Sequence, residues 1–320
     1  MIRIFYKEGL IIRSYQCKDL KPVEDKSSLL WIDVYNPSQE EINWVVENFK
    51  VEFPSIQERE DIEISSRYWE EEDSITINTF FLIRDGENAF NETVSFIIKD
   101  HFIITVRYRE LKTFSEFARR LMTNPSVYKT GYHVFSSILE IKIASDSDVL
   151  ENVSKEISKL GKVVSSGNLD VTETVFESIS YYEDLNMTIR ESLIDKQRVL
   201  SSILKSYKLP SDVREEIRIL IKDVNSLIDY TKFNFERLNY LQNTFLGLLN
   251  IEQNKVIKIF TVIATMFIPP TLIASIYGMN FENIPELHWK YGYYFSLLLM
   301  VLTSTVPLYF FKKRGWLWLN

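Results

Sequence analysis

The chain has 320 residues, and its 44 aspartates and glutamates outnumber its 37 lysines and arginines, which gives a formal net charge of -7. This acidic balance argues against a nucleic-acid-binding protein, which needs a basic face to neutralise phosphates. The single cysteine excludes an intramolecular disulfide, and with only three histidines beside it the composition argues against a Cys/His metal cage.

The N-terminal part of the chain has the pattern of a mixed α/β domain. Segments 2–6 and 11–15 are β-prone and are separated by Lys7-Glu8-Gly9, which predicts a β-hairpin. Ser38 and Glu41 have the spacing of a capping box and predict a helix that reaches Phe49. Four further strands are predicted at 29–34, 74–83, 93–99 and 102–108.

From about residue 111 the pattern becomes helical. Runs 134–161 and 169–208 end at a break around Pro210, where Ser211 is placed as the N-cap of the next helix. Between residues 211 and 268 there is no proline and only one glycine, so nothing forces this helix to end before the apolar segment that follows. Two or three helices with kinks are the alternative.

Two C-terminal segments, 259–279 and 291–311, contain no charged residue. As helices each would be about 30 Å long, which matches the hydrocarbon core of a bilayer. Their position near the C-terminus excludes a signal peptide. The sequence therefore predicts a large soluble part followed by a two-helix membrane hairpin.

Basic residues flank this hairpin on one side only. Lys255 and Lys258 precede the first segment, and Lys312, Lys313 and Arg314 follow the second, whereas the connecting loop has one lysine against two glutamates. By the positive-inside rule we expect both termini in the cytoplasm and the loop outside the cell membrane.

The first apolar segment carries a face of small, hydroxylated and amide side chains. Steps of three and four residues place on it Asn254, Ile257, Thr261, Ala264, Ile268, Thr271, Ser275 and Gly278. Such a face suits a narrow water-filled path in which the two isoleucines act as hydrophobic constrictions. It also suits a helix–helix packing face, which the periodicity alone favours over a pore. Two helices cannot enclose a lumen, so a pore would need a ring of subunits.

The segment that follows carries a resemblance. Gly278-Met279-Asn280 ends the first apolar run and is followed by a short acidic loop with Pro285-Glu286-Leu287, the second run and a basic tail. This order resembles the CorA family of divalent-cation channels, whose hallmark is Gly-Met-Asn at the outer end of the first of two C-terminal spans. The resemblance is strongest over residues 254–317.

The resemblance implies a homopentamer whose five first spans line the pore, a cytoplasmic α/β domain with long stalk helices, and Mg²⁺ as the transported ion, with Co²⁺ and Ni²⁺ passing too. It implies a filter made by Gly278, Met279 and Asn280 that contacts the hydrated ion, below which the residues of the small and hydroxylated face line the pore. Glu282 and Glu286 of the outer loop would concentrate cations at the mouth. It also implies a regulatory Mg²⁺ site between cytoplasmic domains.

Asp85 and Asp223 are the positional candidates for that regulatory site. Between Gly247-Leu248-Leu249 and the pore asparagine, the stalk is about two turns shorter than the family pattern.

The expected fold is thus an α+β membrane protein with six parts. They are an α/β domain at 1–132, a helical stalk at 133–254, a pore-lining span at 255–279, an external loop at 280–290, a second span at 291–311 and a basic tail at 312–320.

Three functional hypotheses follow. The first is a passive Mg²⁺ channel driven by membrane potential, since the glycines never form a phosphate-binding loop that would indicate coupling to ATP. The second, which is related to the first, is a Zn²⁺ transporter of the ZntB type. The third belongs to a different class of function and is a non-transporting, membrane-anchored helical scaffold. An enzyme is not expected, because the sequence contains neither Gly-x-Ser-x-Gly nor His-Glu-x-x-His.

Overall fold

The structure is a computed structural model that describes residues 1–9, 11–17, 20–23, 26–55, 67–86, 88–167, 172–280, 282 and 284–315, with the backbone alone at 172, 286 and 287. The chain divides into two compact units, Met1–Leu241 and Gln242–Asn320.

The first unit is built on a single seven-stranded sheet. Its strands are β1 (Ile2–Glu8), β2 (Ile11–Cys17), β3 (Leu29–Tyr35), β4 (Tyr68–Glu70), β5 (Ser74–Asp85), β6 (Asn88–Lys99) and β7 (Phe102–Arg107). The order across the sheet is β2-β1-β3-β7-β6-β5-β4, and only the β3–β7 pair is parallel. The predicted hairpin and strands are confirmed, while the short β4 was not predicted.

Helix α1 (Gln39–Phe49) begins at the predicted capping box. The Ser38 hydroxyl accepts a hydrogen bond from the Glu41 N–H at 3.3 Å, and the Glu41 carboxylate accepts one from the Ser38 N–H at 2.9 Å. Its buried residues Trp44, Val45 and Phe49 pack in one core with apolar side chains of β1, β3 and β7. The cap therefore fixes where the helix starts, and the apolar stripe fixes which face meets the sheet.

A second core of aromatic side chains lies between the sheet and helix α2 (Lys112–Thr123). Phe5 and Trp31 stack with their ring centroids 4.3 Å apart, and Phe117 meets Trp31 edge-on at 5.1 Å. The Trp31 indole N–H donates to the Thr105 hydroxyl at 3.0 Å, so this buried polar atom is satisfied.

Three long helices complete the helical part: α3 (Gly131–Ser165), α4 (Thr172–Ile203) and α5 (Ser211–Tyr277). The predicted continuity of α5 as one helix into the apolar segment is confirmed. The predicted N-cap is wrong by one residue. The Pro210 carbonyl accepts the first intrahelical bond, from the Arg214 N–H at 2.9 Å, so Ser211 is already helical.

In the second unit, α5 is followed by a 3₁₀ turn (Pro285–His288) and helix α6 (Gly292–Lys313). Both α5 and α6 contain a stretch long and apolar enough to cross a membrane. Pro269 and Pro270 lie inside α5 and Pro307 inside α6. Prolines of this kind are tolerated in membrane helices, where neighbouring groups satisfy the freed carbonyls.

Candidate functional site

The predicted pore face of α5 is exposed along almost its whole length. Of its eight residues only Ala264 is half-buried; Asn254, Ile257, Thr261, Ile268, Thr271, Ser275 and Gly278 are exposed. Of the two isoleucines, Ile268 is the more exposed, with an exposed fraction of 63% against 52% for Ile257. This face is therefore free in the single chain and available to water, lipid or other copies.

The opposite face of α5 is half-buried. It comprises Val262, Met266, Pro270, Ile273 and Tyr277. At about 100° per residue these five positions lie within roughly 40° of one another's mean direction, about 180° from the predicted pore face. Met266 and Pro270 also line a groove with Met300, Val301, Ser304 and Thr305 of α6. Helix α6 thus packs behind the predicted pore face.

The threonine hydroxyls on the predicted pore face donate hydrogen bonds to carbonyls of their own helix. Thr261 donates to the Ile257 carbonyl at 2.8 Å, and Thr271 donates to the Phe267 carbonyl at 2.7 Å. A hydroxyl has one proton and two lone pairs, so a hydroxyl that donates inward presents acceptor electrons outward. Such oxygens are suited to the water shell of a cation.

The Gly-Met-Asn segment lies at the C-terminus of α5. The Gly278 N–H donates to the Ala274 carbonyl at 2.9 Å and the Met279 N–H to the Ile276 carbonyl at 3.3 Å, which closes the last turn. A Cβ at position 278 would lie 3.0 Å from the Ala274 carbonyl oxygen, so even alanine is tight there. Gly278, Met279 and Asn280 are all exposed.

The position of Gly-Met-Asn at the C-terminus of α5 places it at the negative end of the helix dipole. The last carbonyls of a helix have no intrahelical donor, and the helix dipole places about half a negative charge at that end. Between Gln253 and Asn280 the chain has no carboxylate. The Gly-Met-Asn segment therefore offers neutral oxygens at an end of α5 that favours cations.

The predicted outer loop is described in part. Glu282 is exposed, whereas the side chain of Glu286 and residues 281 and 283 lie outside the described part of the chain. Residues 316–320 of the predicted basic tail lie outside it too.

The two predicted regulatory aspartates lie in the first unit. Asp85 ends β5, paired with Asn88, and lines a groove of about 330 Å³ with Arg84, Arg109 and Glu110. Asp223 is exposed on α5. Within the described ranges, no three His, Cys, Asp or Glu side chains come together as a metal site, so a single chain does not assemble the predicted regulatory centre from these residues.

Sequence reasoning missed a buried charged cluster beside β5. Helix α4 covers the edge of β5 beyond its pairing with β4. There the Phe80 N–H donates to the Asp195 carboxylate at 2.7 Å, and the Phe80 carbonyl accepts from the Lys196 ammonium at 2.7 Å. Two side chains of one helix thus satisfy a strand edge in the way a neighbouring strand would.

The charges of this cluster are also paired with each other. Asp146 lies 2.6 Å from the Lys142 ammonium and 3.2 Å from that of Lys196, and Asp195 lies 3.4 Å from the Arg67 guanidinium. Burial lowers the pKa of Lys196, and Asp146 opposes that shift. Lys142 and Asp146 are four residues apart, a spacing typical of an exposed helix pair, and only the tertiary structure shows that they are buried.

Comparisons with known proteins assign the chain to a family. Residues 26–313 match the family model described as CorA-like Mg²⁺ transporter protein. The chain is 42% identical to the magnesium transport protein CorA of Wolinella succinogenes, over 99% of this chain and 100% of that protein.

Two solved structures share the fold. The CorA magnesium transporter from Methanocaldococcus jannaschii superposes with a TM-score of 0.83 at 24% identity, covering 99% of each chain. The ZntB cytoplasmic domain from Vibrio parahaemolyticus superposes with a TM-score of 0.62 at 10% identity, covering 78% of this chain and 97% of that one.

Proposed function

The chain belongs to the family of CorA-like Mg²⁺ transporter proteins, and from this premise we propose that it is a membrane channel for Mg²⁺. The observation that carries the proposal is the exposed, carboxylate-free face of α5, which leads to Gly278-Met279-Asn280 at the C-terminal end of that helix. Transport is passive and driven by an inside-negative membrane potential. Co²⁺ and Ni²⁺ pass by the same path.

The filter acts on the hydrated ion. Mg²⁺ gives up its water shell reluctantly. Amide oxygens of Asn280 and backbone carbonyls at Gly278 accept hydrogen bonds from that shell and do not replace it. A ring of carboxylates would hold the ion more strongly and delay its release.

A pore requires several copies of α5, since one chain contributes a single such helix. We propose a homopentamer in which α5 faces the axis and α6 lies outside it, an arrangement supported by the position of α6 behind the pore face. In this ring Ile257 and Ile268 form two apolar constrictions that exclude water when the pore is narrow.

Gating by intracellular Mg²⁺ follows from the same assembly. Asp85 and Asp223 are both exposed, and carboxylates of two copies that face each other repel unless a cation bridges them. A bridging Mg²⁺ stabilises the closed ring, and its loss releases it. Mg²⁺ is therefore both the transported ion and the regulatory ligand. The protein is a channel and not an enzyme. It resides in the cell membrane with both termini in the cytoplasm.

The alternatives are a ZntB-like zinc transporter and a non-transporting scaffold. The likeness to the ZntB cytoplasmic domain is at 10% identity and concerns the fold alone. A scaffold has no need for a carboxylate-free polar face that ends in exposed neutral oxygens.

Ion uptake into proteoliposomes separates these functions. The full chain is reconstituted, an inside-negative potential is imposed without ATP, and Mg²⁺ and Zn²⁺ uptake are followed in parallel beside empty vesicles. We expect Mg²⁺ uptake that increases with the potential. Zn²⁺ uptake without Mg²⁺ uptake would support the zinc transporter, and no flux of either ion from correctly inserted oligomers would leave the scaffold.

A further inference from the structure

We propose that the α5–α6 hairpin carries a binding site for one anionic phospholipid, with its acyl chain in the groove between the two helices and its headgroup on a basic cluster at their cytoplasmic end. The basic cluster is Lys255, Lys258, Lys312, Lys313 and Arg314. The inference rests on membrane insertion and not on Mg²⁺ transport, so the two are tested separately.

The acyl-chain end is the groove beside Met266 and Phe267. It has a volume of about 290 Å³, and its walls are mainly apolar, completed by Pro270, Met300 and Val301. Ser304 and Thr305 are the polar residues among those that line it, and the Thr305 hydroxyl donates a hydrogen bond to the Val301 carbonyl at 2.8 Å. Phe267 and Val301 on its rim are each 59% exposed, so the groove is open toward the surroundings of the hairpin. In a bilayer those surroundings are lipid tails.

The headgroup end follows from the antiparallel register of the two helices. The groove pairs the stretch around residue 268 of α5 with the stretch around residue 302 of α6. About ten residues from the groove, in the same direction along the hairpin, α5 reaches Lys258 and α6 reaches Lys312. The two lysines therefore lie at about the same depth, with Lys313 and Arg314 directly beyond.

The distance between the two ends fits one lipid leaflet. Ten helical residues rise about 15 Å, which is half of a hydrocarbon core about 30 Å thick. A phospholipid whose headgroup meets the lysines therefore places the end of its acyl chain at the groove. The groove and the cluster together match both parts of one molecule.

The basic cluster carries more positive charge than is required to neutralise the C-terminal dipole of α6. The C-terminal dipole of α6 amounts to about half a negative charge, whereas Lys312, Lys313 and Arg314 alone provide three positive charges. Glu252, which pairs with Lys255 at 3.1 Å, is the only acidic residue of the sequence between residues 242 and 281. The excess positive charge is available to a phosphate, and basic pockets at the cytoplasmic side of membrane helices bind anionic headgroups in this way.

Native mass spectrometry of the delipidated, full-length oligomer tests the proposal. The protein is titrated with phosphatidylglycerol and with phosphatidylcholine that has the same acyl chains, and the bound lipids per chain are counted. We expect phosphatidylglycerol to bind in preference, with one tight site per chain. Equal binding of the two lipids to the wild type would overturn the proposal without any variant.

Two variants test the headgroup end and the acyl-chain end of the proposed lipid site independently. Replacing Lys258, Lys312 and Lys313 together by glutamine should weaken phosphatidylglycerol binding roughly a hundredfold and remove the preference. Ser304→Leu fills the groove and should weaken both lipids while keeping the preference. Lys290→Gln, a lysine outside both helices, is the matched control and should bind as the wild type does.

Two further outcomes would contradict the proposal. If inorganic phosphate or glycerol phosphate displaces the lipid at equal concentration, the site recognises a phosphate alone and the groove plays no part. If Ser304→Leu changes the mass of the oligomer, a second copy of the chain covers the groove and not a lipid.

Discussion

At the residue scale, Asp195 joins three parts of the first unit. Its carboxylate accepts hydrogen bonds from the Phe80 N–H and from the Thr79 hydroxyl at 2.8 Å, and it pairs with Arg67. The side chain is almost fully buried. Removal of one partner from a buried ion pair leaves the other charge and the strand edge without compensation.

We therefore expect Asp195→Ala to destabilise the first unit by about 3–5 kcal/mol. Thermal unfolding of the full chain in detergent, followed by circular dichroism, should show a Tm lower by roughly 10 °C. Asp184→Ala is the control, because Asp184 is exposed on the same helix and its loss should change stability by no more than about 0.5 kcal/mol. Equal effects of the two substitutions would contradict the edge-capping role of Asp195.

Which of these residues could be predicted from sequence depends on how far apart the partners lie. The capping box of Ser38 and Glu41 joins residues three apart, and its spacing is visible in the sequence. Asp195 and Phe80 are 115 residues apart, and no local pattern places an aspartate of a helix against the N–H of a strand. Sequence reasoning assigns charged residues to the surface, so the buried cluster was not predicted.

At the element scale, α5 has an exposed face and a half-buried face, for which we propose different tasks. Ile268 lies on the predicted pore face, whereas Ile263 lies away from it and is 47% exposed. A polar side chain at the pore face would hydrate an apolar constriction, and the same change elsewhere on the helix would not.

Ile268→Ser should thus raise Mg²⁺ conductance in high internal Mg²⁺, a condition in which we propose that the wild type is closed. Ile263→Ser is the matched control and should remain closed. Planar-bilayer recordings at equal protein density measure both. Conductance of Ile268→Ser equal to that of the wild type would count against a dewetted gate at this position.

The start of α5 provides a pH-dependent element. The hydrogen bond from Lys129 to Asp212, and then that from His133, lower the pKa of this carboxyl from 3.8 to about 2. A depressed pKa in the folded state means that the carboxylate stabilises the fold above the ordinary pKa near 3.8, and that this stabilisation is lost as pH falls through about 2.

Asp212→Asn should therefore lower the Tm at neutral pH, and the difference from the wild type should narrow as pH falls from about 5 toward 2. Asp229→Asn, at an exposed aspartate of the same helix, serves as the reference and should show no such narrowing. A Tm difference for Asp212→Asn that stays constant over this pH range would exclude the pKa shift as its cause.

Among the elements, the strongest sequence signals were local or continuous. The hairpin at Gly9, the absence of helix breakers after residue 211 and the two uncharged segments each specify their own element. The end of a helix is less determined, because it depends on which carbonyl accepts the first bond. That is why Ser211 proved to be helical and the Pro210 carbonyl accepts in its place.

At the scale of the whole molecule, the proposed site is incomplete in one chain. The proposed filter, apolar constrictions and regulatory site would each need several copies, and no pattern within one sequence states their number. The figure of five comes from the family resemblance alone. The sequence does predict that a pore would need a ring of subunits, since two helices cannot enclose a lumen.

A homopentamer would have about five times the chain mass of 37.8 kDa. Native mass spectrometry or sedimentation in detergent, corrected for bound lipid and detergent, measures this directly. A single species of this mass is expected, and a stable monomer or dimer in functional preparations would contradict the ring.

The most direct measurement compares Mg²⁺ uptake by the wild type, Asn280→Ala and His288→Ala in proteoliposomes under an inside-negative potential. His288 is an exposed control in the same outer segment, outside the predicted filter. If Gly278-Met279-Asn280 is the filter of a Mg²⁺ channel, Asn280→Ala should lose uptake roughly tenfold or more while His288→Ala keeps it and all three oligomers have the same mass. Uptake by Asn280→Ala equal to that of the wild type would contradict the account, because the ion would then cross without contact to the amide at the end of α5.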